Sequence, residues 1–171
     1  MAPARIAPVT LSLLLAACSA TKFAVANLAA KTEPATRTAD IAYGSDPRQR
    51  LDVYTPSAAH RSAAMPVIVF VHGGGWDAGS KDLYEFVGRA LAARGYLAVL
   101  PNYRLFPQVR FPAFVEDTAL AVAWTRTHAV EFGGDNRQLF LMGHSAGAQI
   151  VMLLALDAHY LARVGLDNGA L

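Results

Sequence analysis

The sequence predicts an α/β fold in which a mostly parallel sheet is flanked by helices. Three observations predict it: short apolar runs alternate with longer helical patterns, the later runs are apolar without polar alternation, and glycine-rich turns follow two of them directly. In chain order, Leu51-Asp52-Val53-Tyr54, Val67 to Val71, Leu97 to Leu100 and Leu139 to Met142 read as strands. The last three read as buried on both faces, as strands covered by crossover helices must be. Helical patterns fill the gaps at about Leu83 to Ala93 and at Ala113 to Val130, the second with Phe114, Ala121 and Trp124 among its apolar positions. A last helix runs from about Ala146 to Ala158.

The chain has 171 residues, of which 54% are hydrophobic, enough for one domain with a real core. Its 15 Lys and Arg and 13 Asp and Glu are interspersed, so the net charge of +2 forms no basic stripe and nucleic acid is not an expected partner. Internal repeats and low-complexity tracts are absent.

The first residues read as an export signal rather than fold. Arg5 precedes a mostly apolar stretch, Ile6 to Ala17, too short to span a bilayer and of the right length for a signal-peptide core. Cys18, the only cysteine, follows Leu15-Ala16-Ala17. This tract resembles the lipobox of bacterial lipoproteins, which implies lipidation of Cys18, and Ser19 after it is compatible with sorting to the outer membrane, facing the periplasm. A sole cysteine in an oxidising compartment has no internal disulfide partner, which a lipid anchor explains. The alternative is ordinary cleavage after Ala24-Val25-Ala26, which would discard Cys18. The expected organisation is a signal peptide at 1–17, a lipid-anchored tether without amphipathic period at 18–38, and one α/β domain at 39–171.

Gly143-His144-Ser145-Ala146-Gly147 stands directly after one apolar strand and directly before a helical pattern. A serine on a tight strand-to-helix turn presents its hydroxyl at the sheet's C-terminal edge, and the flanking glycines remove side chains that would clash there. Ser145 is therefore the candidate nucleophile, with Gly143 and Gly147 in support. His72-Gly73-Gly74-Gly75-Trp76 follows another buried strand. Consecutive glycines let backbone N–H groups approach a substrate oxygen, so Gly73 and Gly74, with the amide of Ala146, are the candidate oxyanion donors, and His72 and Gly75 hold the loop. The five histidines show no metal-ligand spacing, and the chemistry needs no cofactor or metal.

With these motifs the chain resembles the hormone-sensitive-lipase and carboxylesterase-like branch of the α/β hydrolases, most closely small bacterial esterases of the feruloyl esterase and kynurenine formamidase type. The resemblance runs from about Ala42 to the C-terminus. It includes Gln49-Arg50-Leu51-Asp52-Val53-Tyr54, Tyr103-Arg104, and an Asp like Asp117 heading the helix that carries Trp124. It implies an α/β-hydrolase fold, serine-dependent hydrolysis of a small ester, and structural support from Tyr103, Arg104 and Asp117.

Acyl transfer by serine also needs a base and an orienting carboxylate. In this fold both follow the serine, yet only 26 residues lie beyond Ser145, among them Asp157, His159 and Asp167. Asp157 and His159 lie roughly 18 and 21 Å along the last helix from its serine end, too far to reach the hydroxyl. His144 is directed away from the hydroxyl, and His128 and His60 lie elsewhere. The resemblance implies that the strands before His72 and Ser145 are neighbours, which would bring His72 close enough to be tested as a substitute base.

The chain is thus expected to hold the N-terminal half to two-thirds of a hydrolase, without the triad Asp and His. Leu139 to Met142 would form an open apolar sheet edge in a marginally stable domain. The alternatives are a catalytically inactive truncated hydrolase and a cell-envelope binding lipoprotein. The absence of a long N-terminal cap favours an open site and short-chain esters. Neither the particular ester nor the oligomeric state is legible.

Overall fold

In the computed structural model, which describes residues 21–62 and 64–171, alternate residues of one β-branched run face opposite ways. Val67, Val69 and Val71 of β3 (Met65–Val71) enter a cluster on one face of the sheet, while Phe70 enters a second cluster on the other. The adjoining β4 (Leu97–Pro101) divides in the same way, Leu97 and Val99 to the first cluster and Ala98 and Leu100 to the second. Both faces are covered, as a run of uninterrupted hydrophobics requires.

The sheet also contains β1 (Ala35–Ala42), β2 (Arg50–Pro56) and β5 (Gly134–Gly143), in the order β1-β2-β4-β3-β5. The β3 strand pairs in parallel with both β4 and β5, and β2 pairs antiparallel with β1 and β4. Helices α2 (Glu85–Ala92) and α3 (Ala113–His128) make the crossovers, and α4 (Ala146–Leu156) leaves β5 to pack beside α3. The short helix α5 (Ala158–Ala162) follows. It is separate from α4 because Asp157 leaves helical geometry, at φ −115° and ψ 97°, and its side chain accepts the His159 N–H.

Three expectations need correction. Residues 21–30, read as tether, are helical (α1), and Ala35 to Ala42, the first half of which reads likewise, form a strand. The inward positions of α1 are Phe23, Ala26, Asn27 and Ala30, at i, i+3, i+4 and i+7, but only one is a large hydrophobe, so no apolar period shows. The polar strand β1 is tied instead by ion pairs: Arg37 to Asp52 at 2.6 Å, and Asp40 to the buried Lys81 at 2.8 Å. Third, β5 is not buried on both faces. It stands at the sheet edge, where Phe140 and Met142 are 52% and 45% exposed, because α2 on that face covers β4 and β2.

The signal-peptide reading of 1–17 and the lipidation of Cys18 fall outside the described residues. Among those described, no helix is long and apolar enough to cross a membrane.

Candidate active site

Ser145 connects β5 to α4 with φ 51° and ψ −119°, a conformation that L-residues rarely adopt and that only a tightly held turn sustains. Its side chain is exposed and makes no capping bond to the helix behind it. The turn closes because its glycines lack side chains. A Cβ on Gly147 would stand 2.2 Å from the Val71 carbonyl oxygen and 2.5 Å from that of His72, and one on Gly143 would stand 2.6 Å from the Gly147 backbone.

Register brings the second glycine motif alongside. Parallel pairing sets Val71 of β3 opposite Gly143 of β5, so the two loops leave the sheet together, and the His144 N–H donates to the Val71 carbonyl at 3.1 Å. Gly73 packs so closely on the elbow that a Cβ there would lie 3.2 Å from Ser145 Cβ. Gly74, at φ 132°, takes a backbone conformation open only to glycine, and its carbonyl accepts the Ala78 N–H at 2.9 Å. The N–H groups of Gly74 and Ala146 have no hydrogen-bond partner among the described residues, and Ala146 stands at the N-terminus of α4. The Gly73 N–H lies against the Tyr84 hydroxyl, and Tyr84 is itself 2.9 Å from His144 Nδ1.

His72 belongs to the scaffold. Its Nδ1 lies 2.9 Å from the Gly73 carbonyl, its ring stacks on Tyr103, and burial depresses its pKa to about 4. A neutral, buried imidazole of that kind is a poor general base at neutral pH. Arg48 braces the same region, donating to the carbonyls of Tyr103 and Gly79, both at 2.6 Å.

The other histidines are engaged elsewhere. His60 pairs with Ser57 at 3.2 Å, and His128 stacks on Trp124 and bonds its carbonyl. His159 pairs with Asp157 at 2.7 Å, at the end of α4 remote from Ser145. This is a histidine–carboxylate pair, but it caps α5. Among the described residues no histidine bonds to Ser145, and no group of three His, Cys, Asp or Glu could hold a metal ion.

Tyr103, Arg104 and Asp117 form a brace. Asp117, fully buried, accepts the Arg104 backbone N–H at 2.9 Å, its guanidinium at 2.8 and 2.7 Å, and the Gln49 amide at 2.8 Å. Sequence reasoning missed Arg48, Tyr84 and Phe23 at this site; none lies in a glycine motif, and no local pattern announces them.

Two open clefts lie near the glycine loop. One, of about 390 Å³, reaches Ser145 and the three glycines and is walled by Phe23, Leu83 and Tyr84. The other is lined by Trp76, Phe111 and Phe114, with Gln149 and Leu153 on α4.

A family model described as BD-FAE matches residues 51–167. A probable isoprenylcysteine alpha-carbonyl methylesterase of Oryza sativa subsp. japonica is 41% identical over 110 residues, covering 64% of this chain and 25% of the rice protein. Esterase LipC of Mycobacterium tuberculosis is 37% identical over 121 residues, covering 70% of this chain and 30% of that esterase. Among solved structures, esterase B from Lactobacillus rhamnosis aligns with a TM-score of 0.71 at 27% identity, over 91% of this chain and 52% of that one. The chain therefore spans between 25% and 30% of the length of these two relatives and about half that of esterase B.

Proposed function

Because the chain belongs to the BD-FAE family and has the α/β-hydrolase fold, we propose that it carries the nucleophile and oxyanion site of a serine-dependent carboxylic-ester hydrolase. The observation that carries this reading is Ser145, held at positive φ beside a glycine loop, with the N–H groups of Gly74 and Ala146 unengaged. Ser145 Oγ attacks the acyl carbon of a small ester. Negative charge develops on the carbonyl oxygen, where the free N–H groups of Gly74 and Ala146 stabilise it, joined by that of Gly73 once it exchanges the Tyr84 hydroxyl for the substrate oxygen. The alcohol leaves, and water then hydrolyses the acyl-serine.

Each half-reaction needs a base for the attacking hydroxyl or water and an acid for the leaving group. No histidine among the described residues is placed for that work. The same observation fits the second reading, a catalytically inactive hydrolase. Hydrolysis of p-nitrophenyl butyrate by the full-length protein separates the two. Catalysis requires Ser145→Ala to lower kcat/KM by about 10³-fold or more, whereas turnover that survives the substitution would refute the nucleophile.

We also retain Cys18 as the lipid attachment site, which would place the enzyme on the outer membrane facing the periplasm. The structure of α1 supports this choice over cleavage after Ala26. That cut would divide α1 and remove Phe23, which packs on Tyr84 with ring centroids 4.9 Å apart.

A further inference from the structure

We infer that α1 is the outer wall of the substrate groove and that Phe23 sets which chain length the groove accepts; the inference rests on Ser145 as the nucleophile. The groove that reaches Ser145 has three apolar walls, Phe23, Leu83 and Tyr84, around a floor of glycine backbone. Such a cleft takes the apolar chain on one side of the scissile ester, while the polar carbonyl faces the N–H groups of the floor.

The helix is docked rather than merely adjacent. Asn27 clamps it to the segment that supplies the other two walls. Its amide nitrogen donates to the Asp82 carbonyl at 2.9 Å, and its amide oxygen accepts the Phe86 N–H at 2.9 Å in the first turn of α2. Beside this clamp, Phe23 lies 4.9 Å from Tyr84 and 6.2 Å from Phe86 between ring centroids, and Tyr84 continues the aromatic contact to Phe70 at 5.2 Å. Val25 and Leu28 face outward, 62% and 67% exposed, so the side of α1 turned to the groove is set by the clamp and by Phe23.

The test uses the full-length protein and two ester series. In one the acyl chain grows from acetyl to octanoyl on a constant p-nitrophenol, and in the other the alcohol chain grows on a constant acetyl group. Phe23→Ala opens the wall and is expected to raise kcat/KM for long over short chains in one series by roughly 10-fold, mainly through KM. Phe23→Trp is expected to shift the same ratio the other way. Asn27→Ala, which releases the helix without touching the groove, should follow Phe23→Ala. Val25→Ser on the outer face should leave the profile unchanged. Unaltered chain-length profiles in both Phe23 variants, with turnover still dependent on Ser145, would overturn the inference and leave the hydrolase reading intact. Turnover independent of Ser145 would overturn both.

Discussion

The Tyr103 hydroxyl donates to the His72 carbonyl at 3.0 Å while the two rings stack with centroids 4.3 Å apart and planes 11° from parallel. A residue two positions beyond β4 thereby holds the residue after β3 by both backbone and side chain. The glycine loop starts from a rigid point one residue before its first N–H group.

This packing makes stability depend on pH through His72. Its pKa is about 4 in the folded chain against about 6.5 when unfolded. Between these values the unfolded state binds more protons, so stability rises with pH. His72 imposes no penalty above pH 6.5. As pH falls to 4 it removes about 3 kcal/mol. Urea titrations should show the wild-type midpoint falling across this window more than that of a folded His72→Asn variant. Parallel pH profiles would contradict the assignment.

Asp117 accepts four hydrogen bonds with no exposure to solvent. Asp117→Ala leaves Gln49 and the Arg104 guanidinium without acceptors, and should lower stability by about 3 kcal/mol. The double variant Asp117→Ala, Arg104→Met should recover part of that loss in chemical denaturation. A single variant with wild-type stability would show that the brace is dispensable.

Gly147→Ala forces a Cβ to 2.2 Å from a backbone oxygen of β3, in a region where nothing flexible can yield. The expected loss is about 3 kcal/mol, seen as a lower Tm or loss of soluble protein. Gly165→Ala, where nothing lies within 4 Å of the added carbon, serves as contrast, although its φ of 76° carries a backbone penalty of its own. Equal effects at both positions would mean that the elbow is looser than its geometry.

Cys18→Ser is expected to move the protein from the membrane pellet to the soluble fraction and to abolish metabolic labelling by palmitate. Retention in the pellet with full labelling would exclude Cys18 as the anchor.

What the sequence made legible follows from side-chain chemistry. The strands β3 and β4 announce themselves because both their faces are apolar, and the glycine motifs because few residues tolerate their backbone angles. The edge position of β5 was also legible, although the same apolar run made it read as buried. Two elements were hidden for opposite reasons. Along α1 the inward stripe is, apart from Phe23, built from alanine and asparagine while valine and leucine face out, and along β1 polar residues are held by Asp52 and Lys81 from other parts of the chain. The groove wall inherits that opacity: Phe23 and Tyr84 meet across 61 residues of sequence.

The most direct measurement is mass spectrometry of the full-length protein after reaction with an alkyl p-nitrophenyl phosphonate. One adduct is expected, on the peptide that carries Ser145, with loss of ester turnover in step with labelling and no adduct in Ser145→Ala. Loss of turnover with the adduct on any other residue would contradict Ser145 as the nucleophile.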